Sequence, residues 1–507
     1  MKKRIFCLLL LLCMLLPTAV ACKKDGAADE TAASTDAATA GGSDVATESE
    51  TKDKYDVHDA LGEIDLGGRE ITVGTCADPW FTGEFTVEGY TGEIVNDAVY
   101  TRNFNVENRL NIKLKNDVIE GNVYAPPDAV LKNVTTGLHV HDLLIAPVYT
   151  TIINTGKGCW KDLTQFSSLD LSQPYWSQWI NEQLSVADHQ FVASGAIALT
   201  FYRQTYVTLV NDTMLATKTD APNLVEVVND KKWTLEYQTT LAKQYHADDG
   251  DGVKEMDDTY GFITASYNGV NPYWSSCELP MLSKTQDGYY QYAMNKDRLS
   301  RATDQMIALF TDPATWCSDY RANFDEVSQK FAEGTALMAT VMLSAVETAE
   351  VQNMANEYSI LPIPKLDEDQ DTYFSFVHDR FSVIAMPATS TATDADAFSV
   401  VMEALASESY RTVTQTYYEK ALKGRYANAA SVKMLDMITQ NVYFDAGVAY
   451  VKLIENMPQH VRNIVDSAVK NGTGNTVSSS YNAEWEENCR TSIAELNDDL
   501  KKITAVS

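Results

Sequence analysis

Basic residues are scarce in this sequence. Its 507 residues include 40 Lys and Arg against 70 Asp and Glu, which gives a formal net charge of −30. Nucleic-acid-binding proteins carry a basic face, and anionic lipid surfaces attract clusters of Lys and Arg. The acidic balance therefore argues against nucleic acid as a partner and against docking on lipid by charge, and it favours solubility in an exposed setting.

Sequence motifs of the common enzyme classes are also missing. The chain has no P-loop, no Rossmann glycine fingerprint, no H-E-x-x-H pair and no G-x-S-x-G elbow. We therefore expect a protein that binds its ligand without converting it and that needs no cofactor.

Cysteines are too few and too scattered for a disulfide framework. Five of the eight lie beyond Cys22, an odd number, and no C-x-x-C pair occurs. We predict mostly buried free thiols. A single bridge between Cys277 and Cys317 is the alternative.

The N-terminus has the layout of a secretion signal. Three basic residues at 2–4 precede an apolar run at 5–16, which is too short to cross a bilayer. The sequence A-V-A-C at 19–22 resembles the lipobox of bacterial lipoproteins, although Ala19 stands where Leu is usual. We predict a signal peptide over 1–21, a lipid on Cys22 and a place on the outer face of the cell membrane. Plain secretion through the A-x-A site is the alternative.

The segment 22–56 is rich in Ala, Thr, Ser, Gly and acidic residues, with Tyr55 as its one aromatic residue. Such a composition cannot bury enough apolar surface to offset the entropy of ordering. We predict a disordered tether, with a span on the order of 30 Å.

Strands and helices alternate through the remaining residues, which number about 450 and favour two domains. Alternation of this kind predicts βαβ units and an α/β fold. The predicted strands are 70–74, 112–115, 143–146, 206–210, 260–264, 336–342, 360–363 and 381–386. The predicted helices are 94–110, 235–245, one around 324–331 that ends at Gly334, 345–356, and a last helix over 485–503.

Two clusters have the residue types of metal sites. His139 and His141 lie where a loop enters a strand, and a solvated loop is the simpler interpretation. Asp249, Asp251 and Asp258 occupy positions three, five and twelve of a calcium-loop pattern, but Ala247 at position one has no ligand atom. We therefore expect weak calcium binding or none, with an acidic turn as the alternative.

Aromatic residues recur next to predicted strand ends, where ligands bind in open parallel sheets. Aromatic faces there suit sugar rings, which stack on them while flanking polar groups bind the hydroxyls. The aromatic candidates are Trp80, Tyr149, Tyr202 and Trp274, and the polar candidates are Glu84, Arg203 and Asp379.

Several stretches, in this order, resemble the family 1 extracellular solute-binding lipoproteins of bacterial ABC importers, in their clostridial-type branch. The resemblance covers nearly the whole folded part, and its fairly specific feature is the order and spacing of the stretches. They are 96–115 (NDAVYTRNFNVENRLNIKLK), 142–151 (DLLIAPVYTT), 162–176 (DLTQFSSLDLSQPYW), 331–340 (FAEGTALMAT), 358–373 (YSILPIPKLDEDQDTY), 403–413 (EALASESYRTV) and 421–438 (ALKGRYANAASVKMLDMI).

The resemblance implies a maltose-binding-protein-like fold of type II. Two lobes, each a mainly parallel sheet flanked by helices, would be joined by three crossings near 200–206, 339–343 and 380–384. Lobe 1 would take 57–203 and 343–380, and lobe 2 would take 204–342 and 381–480. The helix in 481–507 would dock across the body.

The resulting hypothesis is a monomeric, membrane-tethered receptor that captures a small carbohydrate for the permease of an ABC importer. A peptide or carboxylate solute, for which Arg203 would be suited, is the first alternative on the same fold. A surface glycosidase with paired carboxylates, and a sensory partner of a membrane kinase, are the others.

Overall fold

The computed structural model describes residues 53–318, 324–423, 429–472 and 476–505. The predicted signal peptide, Cys22 and the tether up to residue 52 lie outside the described residues. From Asp53 onward the chain forms one compact unit. No helix in the described ranges is both long enough and apolar enough to cross a membrane.

The strands of the described residues fall into two large sheets and one hairpin. In chain order they are β1 Arg69–Cys76, β2 Ile112–Ile119, β3 Leu143–Pro147, β4 Tyr206–Asn211, β5 Tyr260–Ala265, β6 Leu282–Lys284, β7 Tyr290–Tyr292, β8 Thr315–Ser318, β9 Ala336–Met342, β10 Tyr358–Leu361 and β11 Ser382–Ala385.

The α-helices of the same ranges surround these sheets. They are α1 Ile94–Leu110, α2 Ala125–Thr136, α3 Val148–Thr151, α4 Gln178–Leu184, α5 Leu199–Arg203, α6 Asp212–Leu215, α7 Leu224–Asn229, α8 Leu235–Gln244, α9 Pro272–Ser276, α10 Lys296–Phe310, α11 Phe324–Ala332, α12 Ala349–Gln352, α13 Ala392–Ser409, α14 Ala429–Gln440, α15 Ala446–Ala449, α16 Met457–Asn471, α17 Val477–Ser480 and α18 Ala483–Thr504.

Lobe 1 is the body around a four-stranded sheet in the order β11-β3-β1-β2. β1 pairs in parallel with β2 and β3, and β11 joins antiparallel to β3. Every residue of β3 is buried, as its continuous apolar sequence predicts for a central strand.

Lobe 2 is the body around a five-stranded sheet in the order β10-β4-β9-β5-β8. β5 pairs in parallel with β8 and β9, whereas β4 runs antiparallel to β9 and β10. This sheet is therefore mixed. The α/β fold class is confirmed.

Most predicted elements are confirmed within a few residues. The helix over 94–110 has the predicted bounds, and Glu93 caps it by accepting hydrogen bonds from the first turn. The predicted helix over 345–356 is wrong: the chain forms a 3₁₀ turn at Leu343–Glu347 and then the one-turn helix α12.

The sheets divide the chain differently from the predicted lobe bounds. β10 lies in the lobe 2 sheet and β11 in the lobe 1 sheet, so these two strands are exchanged relative to the prediction. The chain does not cross near 339–343, because β9 and β10 belong to one sheet. Both misplaced strands are short and apolar, and partner choice among such strands depends on long-range packing that their sequence does not encode.

Within the described ranges, three segments connect the lobes. The first is at α5 and the start of β4, and the second leads from β10 to β11. The third, which the sequence did not predict, continues α13 as two π-helical stretches, Tyr410–Thr414 and Thr416–Leu422. We call residues 410–422 the crossing helix. α13 packs in the lobe 1 core, and α14 packs on β10 of lobe 2.

Three other predictions concern the two ends of the folded body and the cysteine thiols. Tyr55 was predicted to lie in the disordered tether. It is only 5% exposed, because its ring packs against Tyr410, and it therefore belongs to the folded body. α18 buries Leu496 and Leu500, and Asn497 donates to the Tyr290 carbonyl at 2.7 Å. All five cysteines beyond Cys22 are free, which confirms that prediction and leaves the Cys277–Cys317 bridge unformed.

Candidate functional site

A cavity of about 380 Å³ lies between the lobes, beside the first crossing. Lobe 1 contributes the turn after β1, and lobe 2 contributes α11 and the segment after β9. Ligands of open α/β sheets bind at this kind of position, beyond the carboxyl ends of the strands. The lining residues are Pro79, Trp80, Thr82, Arg203, Gln204, Asp325, Ser328, Met342, Ser344, Ala345 and Thr348.

Trp80 forms the aromatic part of the lobe 1 wall. Asp78 caps its 3₁₀ turn by accepting a hydrogen bond from the Trp80 backbone N–H at 3.1 Å. The Arg380 guanidinium lies 4.8 Å from the centre of the indole ring, and the His378 ring meets it edge-on at 5.4 Å. These contacts fix the half-buried indole before any ligand arrives.

Arg203 lines the cavity with its charge already neutralised. Its guanidinium makes a bidentate pair with Glu347, with N···O distances of 2.9–3.1 Å. Burial disfavours the charged guanidinium, but Glu347 outweighs burial and raises the pKa of Arg203. Glu347 also accepts a hydrogen bond from the Tyr417 hydroxyl at 2.8 Å. The cation is therefore held by the protein rather than offered to an anion.

Gln204 follows Arg203 and carries the unsatisfied polar group of the cavity. Its side chain is 3% exposed, and within the described residues neither its amide oxygen nor its amide nitrogen has a hydrogen-bond partner. Buried amides are nearly always paired, and leaving one unpaired costs stability. Both atoms are shielded from solvent, so a ligand with an adjacent donor and acceptor, such as two neighbouring hydroxyls, can satisfy them once the Gln204 side chain turns toward the cavity.

Glu84 is a buried structural carboxylate. It is 2% exposed, and its oxygens accept hydrogen bonds from the Thr200 backbone N–H at 3.0 Å and from the Ser382 hydroxyl at 2.6 Å. Burial raises the pKa of Glu84 against the opposing effect of these hydrogen bonds. The carboxylate joins the loop after Trp80 to the first crossing and to β11. It therefore holds the elements around the cavity in place and does not line the cavity itself.

Tyr149 and Asp379 lie near Trp80 but are not among the cavity-lining residues. Tyr149 is 9% exposed and packs in one small cluster with Trp80 and Tyr124. Asp379 lies 2.9 Å from the His378 ring nitrogen Nδ1. Burial would raise the pKa of Asp379, but His378 and two nearby arginines outweigh burial and lower it. Asp379 is thus an ionised carboxylate that lies beside the His378 ring.

Tyr202 and Trp274 lie elsewhere. Tyr202 lines a second concavity of about 580 Å³, formed with the crossing helix. Neighbouring residues of a helix point about 100° apart, which explains why Tyr202 and Arg203 face different spaces. Trp274 is 3% exposed and packs in the main hydrophobic core.

In the acidic turn around Asp249 and Asp258, the carboxylates accept hydrogen bonds from backbone N–H groups of the same turn. Asp249 accepts a hydrogen bond from the Asp251 N–H at 3.1 Å, and Asp258 accepts one from the Asp249 N–H at 3.0 Å. In the histidine cluster, His139 pairs with Asp142 and His141 with Asp117, each at 2.8 Å. Across the described ranges, no group of three or more His, Cys, Asp or Glu side chains could hold a metal ion.

The sequence therefore pointed to Trp80 and Arg203 and missed the polar part of the cavity. Gln204 stood next to a predicted candidate at a predicted crossing, and that adjacency was the available signal. Ser328 and Thr348 offered none, because small polar residues are common in every loop and helix.

Comparisons with known proteins identify the fold. No protein-family model matches the chain, and no curated protein matches its sequence. Solved structures do match over most of its length. A cyclo/maltodextrin-binding protein complexed with maltotetraose aligns with a TM-score of 0.53 at 10% identity, over 84% of this chain and 96% of that chain.

Two further structures align equally well. One is an ABC transporter solute-binding protein from Agrobacterium radiobacter K84 in complex with ribitol, with a TM-score of 0.53 at 12% identity, over 84% of this chain and 99% of that chain. The other is a maltose/maltodextrin-binding domain from Bdellovibrio bacteriovorus bound to maltotriose, with a TM-score of 0.52 at 12% identity, over 85% and 100%. The chain thus has the two-lobed fold of these binding proteins.

Proposed function

We propose that this chain is a solute-binding protein that captures a small carbohydrate between its lobes and delivers it to the permease of an ABC importer. The observation that carries this proposal is the pairing, in one interlobe cavity, of a fixed indole face with a buried amide that has no partner. A sugar ring matches both, because its C–H face stacks on an indole while its hydroxyls donate and accept hydrogen bonds.

The ion pairing of the cavity argues against a carboxylate or peptide ligand. Arg203, the one basic residue among the lining residues, is held in a bidentate pair by Glu347. Glu347 already neutralises the Arg203 guanidinium, so a ligand carboxylate would add a second negative charge beside one cation, which is less favourable than binding a neutral solute. A neutral solute requires no such exchange.

The distribution of carboxylates argues against a glycosidase. Such enzymes place two carboxyl groups on either side of the bond that breaks, about 5–10 Å apart. Asp325 is the single carboxylate among the residues that line the cavity, and Glu84 is committed to Thr200 and Ser382. A ligand held here would leave unaltered.

The proposed cellular setting follows from the N-terminal sequence. A lipid on Cys22 would hold the monomeric protein on the outer face of the membrane, where it meets its permease. Labelling cells with a fatty-acid analogue should mark the wild-type protein and leave a Cys22→Ala variant unmarked. A secreted, unlabelled wild-type protein would refute the anchor and leave the binding proposal intact.

Ligand binding is tested first by thermal shift and calorimetry on the full chain. The probes are maltotriose, maltotetraose, ribitol, tagatose, an amino-acid set and a tripeptide set. A ligand at one hundred times its Kd stabilises the folded state by about 2.7 kcal/mol, which is readily measured. Stabilisation by a sugar or polyol supports the proposal, and stabilisation by peptides alone would refute it.

A pair of glutamine variants then locates the site. Gln204→Leu removes the unpaired amide, so we expect unchanged or higher stability in the absence of ligand together with at least a tenfold loss of affinity. Gln370 is the matched control: it is equally buried, but its amide is paired with Arg298 and with the Ser276 carbonyl. Gln370→Leu should lower stability and leave affinity unchanged. The reverse pattern would remove Gln204 from the site.

A further inference from the structure

Residues 53–59, which we call the N-terminal clamp, lie along the crossing helix. They follow directly on the predicted tether, yet they are tied down by side-chain contacts over their whole length. The contacts are a hydrogen bond from Gln415 to Asp53 at 2.9 Å, one from Arg411 to the Val57 carbonyl at 2.9 Å, one from the Tyr55 hydroxyl to Glu419 at 3.1 Å, and packing of the Tyr55 and Tyr410 rings with centres 5.1 Å apart.

The two ends of the clamp hold different lobes. At the lobe 1 end, Arg109 of α1 donates to both carboxylate oxygens of Asp59, at 2.7 and 2.5 Å. At the lobe 2 end, the Lys54 ammonium lies 3.7 Å from Asp436 of α14 and 3.3 Å from Glu419. The clamp therefore spans the crossing helix from one lobe to the other.

Another side of the crossing helix contacts the ion pair that supports the cavity lining. Tyr417 donates its hydroxyl hydrogen bond to Glu347, and Glu347 holds the Arg203 guanidinium beside Gln204. Tyr417 and Glu419 are two residues apart, so they point to different sides of the helix. The crossing helix thus contacts the N-terminal clamp through Glu419, and through Tyr417 it supports the ion pair of Glu347 with Arg203.

We propose that Lys54 and Tyr55 are positioning residues for the ligand, acting through the crossing helix on the Tyr417–Glu347–Arg203 group. This inference rests on the proposed function, since it concerns the same interlobe cavity. A π-helix is rare and occurs mostly as a single turn inside an α-helix, so two successive π-helical stretches at a lobe junction need support from outside. The clamp supplies it, and pre-organised binding groups lose less entropy when a ligand binds.

The test compares a clamp variant with a chemically matched control. The clamp variant is the full chain with Lys54→Met and Tyr55→Phe, which cuts both ties to Glu419 and keeps the ring packed on Tyr410. The control carries Arg69→Met and Tyr289→Phe. It removes a half-exposed ion pair with Asp394 inside lobe 1 and a hydroxyl contact with Thr504, both away from the crossing helix.

Affinity for the sugar or polyol found in the screen is measured by calorimetry, well below the unfolding temperature of every variant. We expect the clamp variant to bind about three- to tenfold more weakly, because its cavity groups are less pre-organised, and the control to bind as the wild type does. Lys54→Arg with Tyr55 intact should restore wild-type affinity. A purely structural role would lower the unfolding temperature of both variants and leave affinity alone.

Two negative results are distinguishable. If the wild type binds a probe and the clamp variant binds it equally well, the clamp inference is overturned and the proposed function stands. If the wild type binds none of the probes, the proposed function fails, and the inference about its positioning residues fails with it.

Discussion

The two walls of the interlobe cavity are made of different chemistry. The lobe 1 wall consists of Pro79, Trp80 and Thr82, and its indole is fixed by Arg380 and His378. The lobe 2 wall has no aromatic ring, and apart from Met342 its side chains are small or polar, namely Asp325, Ser328, Ser344, Ala345 and Thr348. One wall can stack, and the other can form hydrogen bonds.

This difference explains how a ligand could bring the lobes together. A sugar stacked on Trp80 presents its hydroxyls outward, toward the lobe that lacks an aromatic surface. Closure then adds hydrogen bonds that the open form cannot make, and a ligand drives closure only by binding the closed state better.

The largest effect should come from the tryptophan that belongs to neither wall. Trp274 is 3% exposed in the core, so Trp274→Ala leaves a large cavity and should cost about 3–5 kcal/mol of unfolding free energy. Chemical denaturation measures the loss, and affinity of the remaining folded fraction should be unchanged. A stable Trp274→Ala protein with weak binding would show that this residue contacts ligand.

Trp80→Ala should give the complementary result. It removes the stacking surface of the lobe 1 wall, so we expect about a tenfold or greater loss of affinity, equivalent to about 1.4 kcal/mol or more. Trp80→Phe should recover part of it. Because the indole is half-buried, stability should fall much less than in Trp274→Ala. Equal affinity in wild type and Trp80→Ala would place the ligand elsewhere.

The polar wall should contribute in smaller steps. Ser328→Ala and Ser344→Ala each remove one hydroxyl from the lobe 2 wall, and a single hydrogen bond is worth about 0.5–1.5 kcal/mol, or about a two- to tenfold change in Kd. Ser390→Ala is the control, since Ser390 is also buried but donates to the Pro387 carbonyl away from the cavity. If both wall variants bind the ligand as tightly as the Ser390→Ala control does, the lobe 2 wall forms no hydrogen bonds with the ligand.

The aromatic wall was partly predictable from the sequence, and the polar wall was not. Periodicity located α1 to the residue, and the rule that ligands bind at strand ends led to Trp80, whereas Arg203 was a candidate at the predicted first crossing. By the same rule Trp274 looked equivalent to Trp80, because a helix or turn after a strand can place its ring in the core or in the cleft. Only packing decides between the two.

The remaining errors have a related cause. The importance of Gln204 lies in its burial and in the absence of a partner, which are properties of the folded chain. The exchange of β10 and β11 arose because short apolar strands do not specify their sheet. The π-helical crossing and the burial of Tyr55 depend on each other, so neither was visible in a local pattern.

The smallest effects should be found in the pH dependence of stability, where two carboxylates near the cavity differ in sign. Burial raises the pKa of Glu84, so the folded protein binds a proton there more tightly than the unfolded chain does. That contribution to stability is fully present below the unfolded pKa and is lost as pH rises through the folded pKa. For Asp379, His378 and nearby arginines outweigh burial and lower the pKa, so its contribution is present above the unfolded pKa and is lost on acidification.

Unfolding temperatures recorded from pH 3 to pH 8 for two variants separate these contributions. In the wild type, the Glu84 contribution to stability falls as the pH rises above the ordinary pKa of a glutamate. Glu84→Gln should flatten that part of the profile. Asp379→Asn should flatten the loss of stability below about pH 4. Asp379 thus keeps its charge beside His378 across the neutral range, whereas burial of Glu84 opposes its ionisation. Identical slopes for both variants would show that the two sites share one electrostatic environment, and the assignment of His378 as a fixed support of the aromatic wall would have to be withdrawn.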